Sequence, residues 1–331
     1  MRMHATNTNA IHRIKRIAPL LLLTALLIAV GVGCGSEKEN AQELLELAQS
    51  HQAAGKLDDA VLTYTKAVRA DPELTAGYVN RGNVKLQLGA FDGALLDYEK
   101  AIELQPDHFG AVFNSGIIHF LNGNFDRALA QYDRALELNP DNFDTHLNRG
   151  TLFFAMGQYE DAIREFTVVI EKGSDPEHAY YSRGDAYSDL GKYELALADY
   201  SHVTTNVYTP FRKWIAHHRL EQPEEAEQTI AEYLDSLNKE SVPNDALAVY
   251  GYLSGNFDEE KIDGFMNEYE VQGYEEGTVA VCFYLGSAHV LKGDLTKARS
   301  YFERGTRDEM LTVSEYASMK HALSAMDALA E

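Results

Sequence analysis

The feature that most constrains the fold of this chain is a pattern that recurs every 34 residues. An alanine followed four residues later by an aromatic residue recurs at this interval, in the pairs Ala60/Tyr64, Ala94/Tyr98, Ala128/Tyr132, Ala162/Phe166 and Ala196/Tyr200. Glycine recurs at the same interval in one series, at Gly55, Gly89, Gly123, Gly157 and Gly191, and in a second series, at Gly82, Gly116, Gly150 and Gly184. A fixed period of this length indicates a solenoid of stacked supersecondary units rather than one globular core.

Each recurring position carries a residue type that suits a pair of packed helices. Small residues such as Gly82 and Ala94 allow the two helices of a pair to approach closely, and the aromatic residue after the alanine fills the space between adjacent pairs. Gly55 and its equivalents predict the end of the first helix, Asp58 favours the start of the second, and Pro72 stops it. Together these positions resemble the tetratricopeptide repeat (TPR), a 34-residue helix-turn-helix unit.

The phase of the repeat extends beyond the regular units. Ala298 begins another alanine-aromatic pair 102 residues after Ala196, which equals three periods. Residues 211–278 therefore occupy two repeat lengths and predict two degenerate helix pairs with shortened first helices. The sequence predicts an all-α fold, a right-handed α-α superhelix (a TPR solenoid) of about eight helix pairs over residues 41–312. A final helix over about 313–329 is predicted to cover the apolar end of the stack.

The N-terminus has the composition of a secretory signal. Residues 1–33 contain four basic residues and no acidic ones, and the apolar run from Ile17 to Gly33 is about 17 residues long. This length is at the short limit for a membrane span, so simple secretion and an uncleaved transmembrane anchor stand as alternatives. The small residues before Cys34 resemble the lipobox of bacterial lipoproteins, although Gly31 stands where that family prefers leucine. This resemblance implies that Cys34 is lipidated and that the protein is sorted to the outer membrane, since Gly35 follows rather than aspartate.

Composition limits the classes of function that the chain can have. With 51 Asp+Glu against 29 Lys+Arg, the formal net charge is −22, which argues against a nucleic-acid partner because phosphate binding needs clustered basic residues. Two cysteines exclude a disulfide-stapled scaffold and a zinc site of four thiolates. The chain has no phosphate-binding loop, no His-Glu-x-x-His and no Gly-x-Ser-x-Gly motif. We therefore predict a protein that is not an enzyme, with no cofactor, metal site or catalytic residue.

Candidate binding residues lie on the predicted first helices, which line the concave face of stacked TPR units. Asparagine occupies the same first-helix position in three repeats, at Asn80, Asn114 and Asn148. A carboxamide both donates and accepts hydrogen bonds, so these residues suit the backbone of an extended peptide; the alternative is bonding only within the repeat. Apolar and aromatic residues complete the predicted groove at Val79, Phe113, Leu147, Tyr181, Phe120 and Phe154. Such a groove suits an extended or helical peptide.

Charged residues offer two further features. Arg81, Arg149 and Arg183 are periodic but lie beside the asparagines rather than at the positions of a carboxylate clamp. Residues 211–278 hold 16 acidic and 5 basic residues. This acidic zone either steers a basic partner or is a solvated helical face.

The C-terminal part of the chain resembles NlpI-type lipoproteins. The resemblance covers residues 200–325 and is carried by Pro210-Phe211-Arg212 with Trp214, by Tyr252-Leu253-Ser254-Gly255-Asn256, and by Phe283-Tyr284-Leu285-Gly286 followed by Lys292-Gly293-Asp294. Val242-Pro243 stands where that family often has a tryptophan, and this chain has more regular repeats. NlpI-type proteins are outer-membrane adaptors, often dimeric, that bring peptidoglycan hydrolases together and present substrates to a periplasmic processing protease.

The resemblance implies a non-catalytic adaptor of the bacterial cell envelope, anchored in the membrane through lipid, which binds envelope proteins and can form a homodimer. Its implied partners are peptidoglycan hydrolases or a processing protease. The alternative is a pilotin-like assembly factor for type IV pili or secretins, which are also TPR lipoproteins. The predicted organisation is a signal peptide (1–33), a linker (34–40), five regular repeats (41–210), two degenerate helix pairs (211–278), and a C-terminal repeat with its capping helix (279–331).

Overall fold

The computed structural model describes residues 38, 40–173, 176–236, 244–272, 275–307 and 314–328. The predicted signal peptide and Cys34 lie outside the described residues, as do Val242 and Pro243.

Every regular element in the described ranges is an α-helix. The helices are α1 (40–53), α2 (Leu57–Ala70), α3 (Thr75–Gln87), α4 (Phe91–Leu104), α5 (Phe109–Leu121), α6 (Phe125–Leu138), α7 (Phe143–Ala155), α8 (Tyr159–Lys172), α9 (Glu177–Asp189), α10 (Tyr193–Tyr200), α11 (Thr209–Arg219), α12 (Pro223–Ser236), α13 (Asn244–Leu253), α14 (Glu259–Gln272), α15 (Glu275–Leu291), α16 (Leu295–Gly305) and α17 (Ser314–Ala328). The all-α TPR solenoid predicted from the sequence is confirmed. Among these helices, none combines the length and the apolar character that crossing a membrane requires.

The chain divides into two compact units, an N-terminal unit of residues 1–118 and a C-terminal unit of residues 119–331, with the boundary inside α5. In the N-terminal unit, α3 packs against both α2 and α4. In the C-terminal unit, each helix from α6 to α11 packs against its successor, and so does each from α13 to α16. The short turns between these helices are typical of antiparallel neighbours.

Glycine ends the first helix of each regular pair, as the sequence predicts. Gly89 has φ +72°, in the left-handed region that a side chain disfavours. The equivalent glycines of the other regular repeats share this conformation: Gly55, Gly123, Gly157 and Gly191. Gly255 and Gly293 also have positive φ, so the same turn recurs in the later helix pairs.

The second glycine series makes room for the buried aromatic rings. A Cβ atom on Gly150 would lie 2.6 Å from Cε1 of Phe166, and one on Gly184 would lie 2.6 Å from Cε1 of Tyr200. Real Cβ atoms do not approach other carbons this closely, so each ring lies directly against a glycine backbone. The predicted close approach of the two helices of a pair is therefore confirmed.

The degenerate pairs begin with short helices, since α11 has 11 residues and α13 has 10, against 13 in α3. Their packing is nevertheless dense. The ring of Phe211 lies 4.0 Å from that of Tyr250 and 4.9 Å from that of Tyr284, measured between centroids. These three buried rings belong to the largest apolar cluster in the described residues, which also includes α15, α16 and α17.

The last helix makes more contacts than a terminal cap requires. α17 packs against α15 and α16, as expected for a helix that covers the end of the stack. It also contacts α7 and α9, which are first helices of the regular repeats. This second set of contacts is not predicted by the sequence, and it changes which first-helix surfaces are accessible.

Candidate peptide-binding faces of the first helices

In the N-terminal unit, the predicted groove residues lie on α3 and α5. Val79 is buried and belongs to an apolar cluster that contains Tyr98. Asn80 and Phe113 are both half-buried. The ring of Phe113 stacks on that of Phe109, with centroids 5.8 Å apart and an interplanar angle of 8°. The first-helix face formed by α3 and α5 therefore carries half-buried aromatic and amide side chains.

A hydrogen-bond network holds α3 and α5 together on this face. The Tyr98 hydroxyl donates to Oδ1 of Asn83 over 2.8 Å, and Nδ2 of Asn114 donates to the same oxygen over 2.9 Å. Burial raises the pKa of Tyr98 to about 12, so its hydroxyl remains protonated at neutral pH. Asn114 thus bonds between repeats with its amide nitrogen, and its carbonyl oxygen takes no part in these bonds. Sequence reasoning missed Asn83, whose only signal is its position one turn after Asn80.

In the described residues, the three predicted asparagines have different environments. Asn80 forms no side-chain hydrogen bond within the part of the chain that the structure describes. Asn114 is bonded as above, and Nδ2 of Asn148 donates to the backbone carbonyl of Asp144 over 2.8 Å. Asn148 therefore bonds within its own helix and lies in the C-terminal unit, whereas Asn80 and Asn114 lie in the N-terminal unit.

The other predicted groove residues lie mainly in the packed interior of the C-terminal unit. Phe120 and Phe154 are buried, and Leu147 is partly buried against the cluster that contains Phe154. Phe154 also makes an edge contact with Tyr159, with ring centroids 5.3 Å apart. Tyr181 is half-buried, and its hydroxyl donates to a carboxylate of α17, as described below.

The periodic arginines join neighbouring helices. Nε and Nη2 of Arg81 donate to the carboxylate of Asp97, 16 residues later, over 2.9 and 2.5 Å. Arg183 donates the same pair of bonds to Asp199, both over 2.8 Å, and the hydrogen bonding to this carboxylate raises the pKa of Arg183. Arg149 also bonds an acid 16 residues later, Glu165. These guanidinium groups therefore bind carboxylates of neighbouring helices.

The first-helix face of the C-terminal unit is covered by α17. Glu315, in the first turn of α17, is 6% exposed. Its Oε1 atom accepts hydrogen bonds from the hydroxyls of Tyr181 on α9 (3.2 Å) and Tyr284 on α15 (3.1 Å). The same oxygen lies 3.1 Å from Nη2 of Arg212 on α11. One carboxylate of α17 is thus held by three different helices.

Further polar contacts continue along α17. Ser318 donates to Oδ2 of Asp189 over 2.9 Å, and one turn later Nδ1 of His321 lies 2.5 Å from the hydroxyl of Tyr159. Ala317, which lies between Glu315 and Ser318 in the sequence, is buried in the same apolar cluster as Phe154. The chain therefore supplies its own occupant for the groove that the sequence predicts around Phe154 and Tyr181.

The electrostatics of this contact depend on Arg212, which is 3% exposed. Burial alone would lower its pKa, but Asp185, 3.0 Å from Nη2, and the neighbouring tyrosines and Glu315 raise it well above the usual value. Burial acts in the opposite direction on Glu315 and would raise its pKa. Arg212 and the hydrogen bonds to the carboxylate of Glu315 nevertheless hold that pKa below its ordinary value. Both side chains are therefore charged at neutral pH.

Residues of the acidic zone and the thiol of Cys282 also have partners within the protein. In the acidic zone, Oε1 and Oε2 of Glu259 each accept from Nζ of Lys297 over 2.8 Å, and Asp258 accepts from the backbone N–H of Lys261 over 3.0 Å. Cys282 is buried, and its thiol lies 3.7 Å from Sδ of Met266. The structure of the described residues contains no group of three side chains arranged to hold a metal ion.

Three tetratricopeptide repeat family models match the chain. They cover residues 45–98 and 79–143, 119–184, and 177–205. The matched segment is continuous over residues 45–205 and coincides with the regular repeats that the 34-residue period indicates. A search of curated proteins found no match.

Solved structures with the same fold include a tetratricopeptide repeat protein from Parabacteroides merdae. It has a TM-score of 0.58 and 16% identity, and the match covers 85% of this chain and 99% of that one. PilW, described as a widely conserved type IV pilus biogenesis factor, has a TM-score of 0.51, 18% identity and coverage of 61% and 94%. Pseudomonas aeruginosa pilF has a TM-score of 0.50, 15% identity and coverage of 60% and 91%. At these identities the likeness concerns the fold alone.

Proposed function

We propose that this protein, which carries tetratricopeptide repeats over residues 45–205, is a non-catalytic adaptor that binds a segment of a partner protein on the first helices of its N-terminal unit. Tetratricopeptide repeats typically form scaffolds for protein interaction. The observation that carries the proposal is the surface on α3 and α5. The half-buried ring of Phe113 lies on α5, and Asn114 of the same helix donates a hydrogen bond to Asn83 on α3.

The chemistry of this face fits a peptide segment. Asn80 is half-buried, and its carboxamide donor and acceptor remain available to a ligand. Its side chain forms no hydrogen bond with the described residues. The Asn83 oxygen already accepts two hydrogen bonds, which hold Asn114 in place before a ligand arrives. A fixed amide and an aromatic ring on the same helix suit the backbone and one apolar side chain of a bound segment. Such a preordered surface loses less side-chain entropy on binding.

The predicted result is a loss of partner binding when this face is altered. Phe113→Ala should weaken binding by about 2 kcal/mol, roughly 30-fold, if its ring is a buried anchor of the complex. Asn80→Ala should cost about 0.5–1.5 kcal/mol, the usual contribution of one hydrogen bond. The measurement is the affinity of each variant for a partner identified by crosslinking and pull-down in the native envelope.

The matched control is Leu96→Ala, since Leu96 is an apolar residue of the same unit that is 67% exposed on the second helix α4. It should bind as the wild type does. All variants must retain wild-type helicity, so that unfolding does not explain a loss. Full binding by Phe113→Ala together with lost binding by Leu96→Ala would place the partner on the second helices and refute the proposal.

For the cellular role, we propose an outer-membrane lipoprotein of the cell envelope whose partners are peptidoglycan hydrolases or a periplasmic processing protease. The support is the lipobox around Cys34 and the C-terminal resemblance to NlpI-type proteins. The second candidate is a pilus or secretin assembly factor, favoured by the shared fold with PilW and pilF. The identity of the captured partners distinguishes them, because hydrolases or a protease support the first role and pilus subunits or a secretin support the second.

The anchoring proposal predicts a simple labelling result. Cys34→Ser should leave an unprocessed precursor, and metabolic labelling with a fatty acid should tag only the wild-type protein. Two or more acyl chains supply stable anchoring, at about 0.8 kcal/mol for each buried methylene group. Equal labelling of the variant and the wild type would contradict lipidation at Cys34.

A further inference from the structure

The contact between α17 and the first helices of the C-terminal unit has the chemistry of a recognition site. α17 lies against α7 and α9 as well as against its neighbours in sequence. The buried groups on this side of α17 are polar, charged or small: Glu315, Ala317 and Ser318. A terminal helix that served stability alone would gain more from apolar residues here, because burying an ion pair costs nearly as much desolvation energy as it returns. A buried charge with several partners instead favours specificity.

The site for Glu315 is complete without Glu315. Nη2 of Arg212 lies 3.0 Å from Oδ2 of Asp185, and Oδ1 of Asp185 accepts from the Tyr200 hydroxyl over 2.8 Å. The guanidinium also lies 4.4 Å from the centre of the Phe283 ring. These contacts keep the cation in position when the α17 carboxylate is absent. Two tyrosine hydroxyls and this guanidinium then form a preordered pocket for one carboxylate.

The other side of α17 defines what else an occupant must carry. Tyr316 and Met319 are buried in the large apolar cluster of the C-terminal unit. A helix that replaced α17 would have to fill these positions with apolar side chains. The required pattern is an acid in the first turn, an apolar residue next to it, a small residue one position later, and a second apolar residue two positions after that.

We infer that the first-helix face of the C-terminal unit is a binding site for an amphipathic helix with a carboxylate in its first turn, and that α17 is the intramolecular ligand that fills it. A partner helix with this pattern enters by displacing α17. The inference rests on the proposed adaptor function and names the class of partner for a second face. The helices that form the pocket pack against each other without α17, α11 with α9 and α11 with α15, so α17 can leave while they stay paired.

The test measures binding of a fluorescent peptide of residues 314–328 to full-length protein. Wild-type protein should bind it weakly, because the covalently attached α17 competes at high effective concentration. Glu315→Gln in the protein loosens only the attached helix and keeps the Arg212–Asp185 pair. This variant should bind the wild-type peptide roughly tenfold or more tightly than wild-type protein does. The peptide carrying Glu315→Gln should bind the variant roughly tenfold or more weakly than the unaltered peptide.

The matched control is Asp327→Asn, which also removes one negative charge from α17 but at an exposed pair with Arg299. This variant should bind the peptide as wild-type protein does. Should Glu315→Gln unfold the protein, Ser318→Ala replaces it, with a smaller gain in peptide affinity expected because only the bond to Asp189 is lost.

Any of three binding results would overturn the inference: no gain in affinity for the Glu315→Gln protein, equal affinity of the two peptides for it, or a gain of the same size for Asp327→Asn. A wild-type protein that is dimeric and becomes monomeric on Glu315→Gln would show that the occupant is the α17 of a second copy, which also overturns it. Phe113→Ala should leave peptide binding unchanged. Failure of this test therefore remains distinct from failure of the proposed binding on α3 and α5.

Discussion

Replacing Arg212 with methionine is expected to lower the free energy of unfolding by about 3–5 kcal/mol. Arg212 is 3% exposed and lies within 3.1 Å of carboxylate oxygens of both Asp185 and Glu315. The substitution leaves these two buried carboxylates without their cation, and the cost of an uncompensated buried charge exceeds that of most single substitutions. Urea unfolding followed by fluorescence measures the effect directly, because Trp214, the single tryptophan, is buried in the same helix.

The matched control is Arg164→Met, which removes the same charge from an exposed arginine paired with Asp161 in its own helix. An exposed pair of this kind contributes about 0–1 kcal/mol. The two variants should therefore differ clearly in their urea midpoints. Equal midpoints would mean that Arg212 does not hold the buried carboxylates together.

Phe166→Ala is expected to destabilise the protein by about 3–5 kcal/mol, the usual cost of deleting a buried aromatic ring. Phe166 is 1% exposed and lies against the backbone of Gly150. Leu195→Ala is the control, since Leu195 is an exposed apolar residue on a second helix, and it should change stability by about 0.5 kcal/mol or less. Urea unfolding provides the comparison, and similar losses in both variants would contradict the assigned repeat packing.

A second pair of variants tests the glycine opposite this ring. Gly150→Ala should destabilise the protein by about 1–3 kcal/mol, because its Cβ would lie 2.6 Å from Cε1 of Phe166. Gly264→Ala places the same methyl group on a helix where no atom beyond the adjacent residues and the local helix backbone lies within 4 Å of it, and it should stabilise the protein by up to about 1 kcal/mol. Combined with Phe166→Ala, the cost of Gly150→Ala should fall, since the ring it meets is gone.

The repeat architecture was predictable because each position of the 34-residue unit imposes a local requirement on its residue. Gly89 must adopt positive φ to end a helix, and Gly150 must lack a side chain because Phe166 lies against it. These requirements recur in register, so the sequence alone reveals them. Helix pairing then follows from the short turns.

The contacts of α17 were not predictable in this way. Arg212 and Glu315 are separated by 103 residues, and neither belongs to a repeating pattern that would indicate their pairing. An acidic residue at the start of a helix and an arginine on another are each ordinary in a sequence. Their pairing depends on the packing of α17 against the first helices. That packing is a tertiary contact, and no local sequence pattern indicates it.

The candidate groove was predictable only in part, for the same reason. The pattern places Asn80, Asn114 and Asn148 at one repeat position, but the hydrogen bonds of each depend on its neighbours. Asn114 bonds Asn83 on the preceding first helix, whereas Asn148 bonds the backbone of its own helix. The residue on the neighbouring first helix, such as Asn83 beside Asn114, therefore decides whether an asparagine amide remains available to a ligand.

Site-specific photocrosslinking shows whether a partner binds on the first helices of the N-terminal unit. A photoreactive phenylalanine analogue replaces either Phe113 on α5 or Leu96, the exposed leucine on α4. Irradiation in the native envelope should give a discrete adduct from position 113 and none from position 96, and the yield of the adduct should fall when Asn80→Ala is added. An adduct from position 96 with none from position 113 would contradict partner binding on α3 and α5.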